Sequence, residues 1–248
     1  MRPAGLLYIA SRIKHPDPPE DTYNHWYNTK LIPSMLAAAK NSGGPALVLR
    51  YKNNDVSPDK FPDLALLPLD DLAALDSDAW TSLRLRPADE SVECDVRQYE
   101  LMQRFEGKPR SPKSKDGTGN WLMVDRARHE TGRGTCIVAA ANTPGVSDAE
   151  FDEWYRKQHL DMLSMVRGYR RSTRYKLVPT ANERITPGGE DIPRYLALHE
   201  FDNADFDMEQ LRMCARTEWS KRVVGTYRQM WRDNWRLVHE AGDTSRRL

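Results

Sequence analysis

Six histidines are spread over 248 residues, and two of them stand where an imidazole could move protons. His159 follows Tyr155 by one helical step and Phe151 by two, within Phe151-Asp152-Glu153-Trp154-Tyr155-Arg156-Lys157-Gln158-His159-Leu160, so it shares the apolar stripe of that segment. His199 lies in Tyr195-Leu196-Ala197-Leu198-His199-Glu200-Phe201, where strand alternation puts it on the face of Ala197 and Phe201, opposite Leu196 and Leu198. Imidazole is the side chain whose unperturbed charge change falls near neutral pH. Two that converge could take a proton from one atom and return it to another, as cyclisation or dehydration requires. Tyr155 adds a phenol able to donate to a developing enolate or phenolate. A histidine on an apolar helix face is equally a packed, hydrogen-bonded core residue, and for His159 both readings stand.

Other side chains could shape a substrate site around these three. Phe151, Trp154, Tyr175, Phe201 and Trp235 would wall a flat pocket for a ring-bearing molecule, although each is also ordinary core material. Arg174, with Arg170 nearby, offers a forked donor for a carboxylate, and a solvated strand face explains both as well. His25, His15 and His129 are expected at the surface, and the role of His239 is open.

The elements that must hold these residues occur twice. One offset carries Tyr23 to Phe151, Trp26 to Trp154 and Tyr27 to Tyr155; further on, Arg50-Tyr51-Lys52 returns as Arg174-Tyr175-Lys176, and Leu64-Ala65-Leu66 as Leu196-Ala197-Leu198. An interval this long exceeds that of solenoid repeats, so each copy is a whole small unit. The first copy predicts strands over 5–13, 46–52, 63–69 and 92–105 and helices over 22–40 and 70–85, with Pro68 demoting the third strand toward an edge or bulge. The second predicts strands over 135–142, 169–178, 195–201 and near 234–239, with helical segments over 149–166 and 204–224. Strand, helix, strand, strand, helix, strand is the ferredoxin-like βαββαβ plan. The polar stretch after Phe105 cannot bury enough surface to fold, which gives repeat one as 1–106, a linker as 107–120 and repeat two as 121–248, with a further long loop over 181–191. Each four-stranded sheet has helices on one face and needs a cover for the other. The two copies can supply it by pressing those faces together, so the fold class is α+β, an intrachain pseudo-dimeric α/β barrel.

The copies differ where chemistry would need them to. The offset that matches the aromatic residues places Leu31 where the second copy has His159, and Leu67 stands at the place of His199. The second copy therefore bears the site, and the first is its structural partner.

Composition removes several classes of function. Lys+Arg 37 against Asp+Glu 36 leaves a net charge of +1, which disfavours nucleic acid or an anionic membrane as partner. Three cysteines without CxxC spacing suggest neither a disulfide framework nor a zinc site, and a reducing cytoplasm is expected. The apolar run at residues 5–10 is too short for a secretory leader. The GxSxG, HExxH and GxxxxGK[ST] motifs are absent, and Gly132-Arg133-Gly134 leads into a strand rather than opening a helix. Nucleotide-driven and zinc-driven reactions are thus not expected, and the expected partner is a small hydrophobic or aromatic metabolite, bound by a monomeric pseudo-dimer or a homodimer.

The aromatic-Trp-Tyr-x-x-x-His pattern of Phe151 to His159, on the first helix of a ferredoxin-like unit, resembles that of EthD-like proteins of the dimeric α/β-barrel superfamily. The resemblance covers both repeats, as if the usual pair of chains were fused. It implies a small enzyme, often of catabolic or specialised-metabolite pathways, that cyclises, isomerises, dehydrates or decarboxylates compact aromatic or polyketide-like molecules, commonly without a cofactor. Its alternatives are cofactorless oxygenation, a haem held by His159, or a non-catalytic module that only binds a small molecule.

Overall fold

The computed structural model describes residues 2–14, 19–41, 47–55, 57, 60–85, 91–106, 133–179 and 191–248. Eight strands alternate with short helices: β1 (Gly5–Ile13), β2 (Leu47–Asn53), β3 (Asp63–Leu69), β4 (Val92–Glu106), β5 (Cys136–Thr143), β6 (Tyr169–Leu177), β7 (Tyr195–Phe201) and β8 (Gln229–Gly242). They close into one antiparallel barrel in the order β1-β3-β2-β8-β5-β7-β6-β4. Within that ring, β4-β1-β3-β2 and β8-β5-β7-β6 have the same internal order, and the halves meet along β2 with β8 and β4 with β6. The expected barrel is thus present. Closure leaves no free strand edge in the ring, the feature that otherwise invites pairing with another chain.

Strand alternation sorts the apolar residues into three cores. Leu6, Tyr8, Leu49, Tyr51, Leu66, Tyr99, Ile137, Tyr175, Leu198 and Trp235 fill the barrel. The alternate residues of the first half, among them Leu7, Ile9, Val48 and Leu67, pack under that half's helices. Those of the second half, among them Val138, Ala197 and Phe201, pack under its own, against helical residues such as Tyr155. Leu248 belongs to the barrel core, and its carbonyl accepts hydrogen bonds of 3.1 Å from both Arg104 Nε and Thr173 Oγ1.

The helices depart most from the sequence expectation. In the first half α1 (Glu20–Trp26) runs through a π turn at Tyr27–Leu31 into α2 (Ile32–Asn41). The expected helix over 70–85 is a 3-10 turn, Leu72–Asp76, followed by a single helical turn, α3 (Asp78–Thr81). Its sequence is rich in capping residues: Asp71 accepts the amide of Ala73, and Ser77 is extended. Such side chains compete for backbone amides and divide a helix. In the second half α4 (Asp148–Trp154), capped by Ser147, runs through the π turn Tyr155–His159 into α5 (Leu160–Leu163). The segment 204–224 likewise divides into α6 (Met208–Met213), capped by Asp207, and α7 (Glu218–Gly225), capped by Thr217.

β3 is no edge strand, since it pairs with β1 along its whole length; its register with β2 stops at Leu66, so Pro68 falls where one neighbour has already ended. β8 is longer than expected. The linker 107–120 and the core of the loop over 181–191 lie outside the described residues. Glycine is required at a close approach in each half, against different strands: a Cβ on Gly5 would sit 2.2 Å from the Tyr99 carbonyl oxygen of β4, and one on Gly134 2.1 Å from that of Phe201 on β7.

Candidate active site

β5, β6 and β7 present one face to the α4–π–α5 segment, and the candidate site forms between them. The ring of Phe151 meets that of Tyr155 edge-on at 5.0 Å, and Trp154 lies against Tyr155 at 4.8 Å. Trp154 is anchored by a 3.1 Å hydrogen bond from Nε1 to Ser220 Oγ on α7. Its indole stacks on the half-buried His159 ring, with centroids 4.2 Å apart and planes 20° apart. The π turn places this histidine at the last rung before α5, and Tyr155 touches it edge-on at 5.2 Å. Single π turns inside helices recur at functional sites.

His199 comes up from β7 on the same face. Its ring centroid is 6.3 Å from that of His159, so the two histidines do converge. On β6, Ser172 stands directly across the register from His199, and Ser172 Oγ lies 2.7 Å from His199 Nδ1. The same hydroxyl is 2.8 Å from the Tyr169 phenol, which can donate to the Phe105 carbonyl at 3.5 Å. Sequence reasoning missed Ser172 and Tyr169. Arg50-Tyr51-Lys52 matches Arg174-Tyr175-Lys176, so the residue at Ser172 in the first half is Val48. A polar residue replacing an apolar one beside a new histidine was the available clue.

Burial sets the charge of the pair. His159 is held down to about 4, first by burial and also by the nearby Arg174 charge, with a hydrogen bond to the Cys214 backbone working the other way. His199 is held down to about 3 by burial, then by His159, Arg232 and Arg174. Both rings are therefore neutral at neutral pH, which corrects the expectation of a histidine titrating there. His159 Nδ1 has no hydrogen-bond partner and is buried. A neutral imidazole with an open Nδ1 is a base or a ligand. Of the two Nδ1 atoms, that of His159 is without a partner, whereas that of His199 is taken by Ser172. Among the described residues no group of three or more His, Cys, Asp or Glu is placed to hold a metal ion.

Arg174 closes the other side. Its guanidinium lies 4.0 Å from the Tyr155 ring centroid and 5.8 Å from that of Phe151, a cation–π arrangement. Nη1 donates to Gln103 and to Asp152, each at 2.8 Å. Burial raises the Tyr155 phenol above its ordinary range against the Arg174 charge and a hydrogen bond with Asn142. Tyr155 is thus a protonated donor.

Phe151, Trp154, Tyr155, His159, Arg174, His199 and Phe201 all come to this one face, Phe201 through an edge-on contact with Tyr169 at 5.8 Å. Tyr175 and Trp235 do not. Both lie in the barrel core, because a strand neighbour of the helix-facing Arg174 must point through the sheet. Arg170 is held by Asp202 at 2.5 Å, and His25 is exposed as expected.

A closed antiparallel barrel of two βαββαβ halves, with helices outside and a polar cluster under one of them, is the dimeric α/β-barrel fold, here made within one chain. No protein-family description matches the sequence. Core atranone cluster protein 1 of Stachybotrys chlorohalonatus (strain IBT 40285) is 29% identical over 216 residues, covering 80% of this chain and 82% of that protein. Among solved structures, an anthrone oxidase-like protein superposes with a TM-score of 0.56 at 12% identity, over 96% of this chain and 93% of that one. A monooxygenase candidate from Lactobacillus acidophilus NCFM superposes at 0.51 with 10% identity, covering 97% of each chain. Another from Fusobacterium nucleatum gives 0.52 with 9% identity, over 98% of this chain and 96% of that one. At these identities the structural likeness establishes the fold. No helix among the described residues is long and apolar enough to cross a membrane.

Proposed function

We propose that this chain is an enzyme of a specialised-metabolite pathway that removes a proton from carbon next to a carbonyl, using His159 Nδ1 as the base, on a compact aromatic or polyketide-like substrate. The observation that carries the reading is the unpartnered, uncharged Nδ1 of His159, on a ring held by Trp154 and Tyr155 and facing a second imidazole. Its low basicity is that of the free enzyme. Negative charge developing on a substrate oxygen beside it favours the imidazolium, so the base strengthens as the enolate forms. His199, tied to Ser172 and Tyr169, offers a route for the proton to be returned. Cyclisation, isomerisation and dehydration proceed from such an enolate, decarboxylation of a β-keto acid yields one that needs a proton, and the relative in an atranone cluster supports a place in specialised metabolism.

A second reading shares the first step and differs in the next one, where the carbanion meets dioxygen. The names of the anthrone oxidase-like and monooxygenase structures support it as well as the first reading. Anthrone, whose C10 protons are activated by its carbonyl through the two flanking rings as an α-proton is activated directly, separates the two. Under anaerobic deuterated water the chain is expected to speed exchange at C10, and His159→Gln to slow that exchange by ~10²–10⁴-fold. Oxygen uptake with conversion of anthrone and O2 to anthraquinone and water would select the oxygenase reading. Equal exchange by wild type and variant would remove His159 from the chemistry, and no exchange by either would favour a binding module.

A further inference from the structure

The two halves hold the same arginine in different states. In the first half Arg50 lies over Tyr27 at 4.1 Å, as Arg174 lies over Tyr155 at 4.0 Å. Arg50 Nη1 donates to Asn28 at 2.7 Å, and Nη2 donates to Asn24 at 3.0 Å and to Asp63 at 3.1 Å. Its fork is occupied. Arg174 is 2% exposed, as Arg50 is, yet Nη2 of Arg174 has no hydrogen-bond partner.

The cause is legible in the register. Ser11 pairs with Asp63 between β1 and β3, and Asn142 pairs with Tyr195 between β5 and β7, so Tyr195 stands where the first half has Asp63. The Tyr195 hydroxyl hydrogen-bonds to Asp148, and so does not serve the guanidinium. Arg156 stands at the place of Asn28, and it pairs with Asp152 Oδ2 at 2.6 Å. The second half has exchanged the carboxylate and amide that occupy one fork for residues engaged elsewhere. A buried guanidinium nitrogen left without an acceptor costs free energy, and it does so beside the imidazoles whose basicity its charge depresses.

We infer that Arg174 Nη2 is the binding group for an oxyanion of the substrate, a phenolate, enolate or carboxylate oxygen that supplies an acceptor in place of those the second half lost with Asp63 and Asn28. The inference rests on the second half being the substrate site, and it names the substrate class: an aromatic or conjugated molecule with an ionisable oxygen at its edge. Asn142 Oδ1, also buried and unpartnered, sits next to Tyr155 and can accept from a neighbouring hydroxyl of the same ligand.

The test uses 2-hydroxyanthraquinone, whose colour reports its ionisation, with the full chain and no turnover. Wild type is expected to bind the anion and to lower the apparent pKa of the bound phenol. Arg174→Gln should weaken anion binding ~10- to 1,000-fold, while Arg174→Lys, which keeps the charge without the fork, recovers part of it. Tyr195→Asp leaves Arg174 in place and rebuilds the first-half arrangement. It should block the anion to a similar degree, and the same loss in both variants cannot come from misfolding of one. Unaltered phenol ionisation on wild type, or equal anion affinity in wild type, Arg174→Gln and Tyr195→Asp, overturns the inference. Because exchange at C10 of anthrone is read separately with His159→Gln, a failed anion site and a failed base give different results.

Discussion

The Ser172 hydroxyl lies 2.7 Å from Nδ1 of His199, and the two residues face each other across the β6–β7 register. Both are buried, Ser172 1% and His199 5% exposed, so His199 Nδ1 depends on Ser172 for its hydrogen bond, while Ser172 also meets the Tyr169 phenol. Ser172→Ala leaves a buried ring nitrogen without its partner and is expected to cost ~1–3 kcal/mol. Replacing both residues by their first-half counterparts, Ser172→Val with His199→Leu, removes the polar pair together and should cost less than the single change. Urea unfolding of the two singles and the double forms the cycle that measures this coupling; purely additive effects would show the pair to be independent.

The histidine pair should make stability depend on acid. Folded His159 and His199 titrate at about 4 and about 3, below the ordinary value near ~6.5 of an unfolded chain. Between those values the unfolded state binds more protons than the folded one, so stability rises with pH there. The contribution is fully present above the unfolded pKa and is lost as pH falls from about 6.5 toward about 4 and 3. His159→Leu with His199→Leu should flatten the urea midpoint across that window. An unchanged slope would show that other groups set it.

Close approach of backbone makes Gly5, Gly134 and Gly145 stringent and leaves Gly225 free. Gly134→Ala would force a Cβ against the Phe201 carbonyl oxygen at 2.1 Å, and overpacking of this kind costs ~1–3 kcal/mol. Gly225, with nothing within 4 Å of where a Cβ would stand, should accept alanine with a gain of up to ~1 kcal/mol. Thermal midpoints of the two variants should move in opposite directions.

The two arginines should also differ in their effect on stability. Arg50 and Asp63 are 2% and 3% exposed and joined by a 3.1 Å ion pair. Truncating one partner of a buried pair typically costs ~3–5 kcal/mol, and Arg50→Gln is expected at the lower end because Lys52 remains 2.9 Å from Asp63. Arg174→Gln leaves behind the more exposed Asp152 and should be milder. The reverse order, by urea unfolding, would contradict the assignment of Arg50 to the scaffold.

Much of the architecture is written in residue order. Strands 5–13, 63–69 and 195–201 were legible because short apolar runs bounded by turn residues have few other uses, and the repeated aromatic residues fixed where each helix must lie. That Leu31 and Leu67 stand at the places of His159 and His199 was legible, but their convergence was not, because which face of strand 195–201 meets the helix is set by packing across the barrel. Helix interiors were not legible, because Asp71 and Ser77 cap within a stretch whose periodicity alone reads as continuous. Tyr175 and Trp235 were drawn to the site by their aromatic character, although Tyr175 cannot share a strand face with its neighbour Arg174. Ser172 escaped notice because a lone serine in a strand carries no pattern of its own, and its meaning lies across the register.

The π turn at Tyr27–Leu31 repeats the one at Tyr155–His159, although the first half has no imidazole there. The backbone irregularity is consequently a property of the architecture and came without need of the histidine it displays. Leu31, Val48 and Leu67, all within the first half's apolar core, stand at the corresponding positions, and grafting His, Ser and His there would give both halves the same polar set.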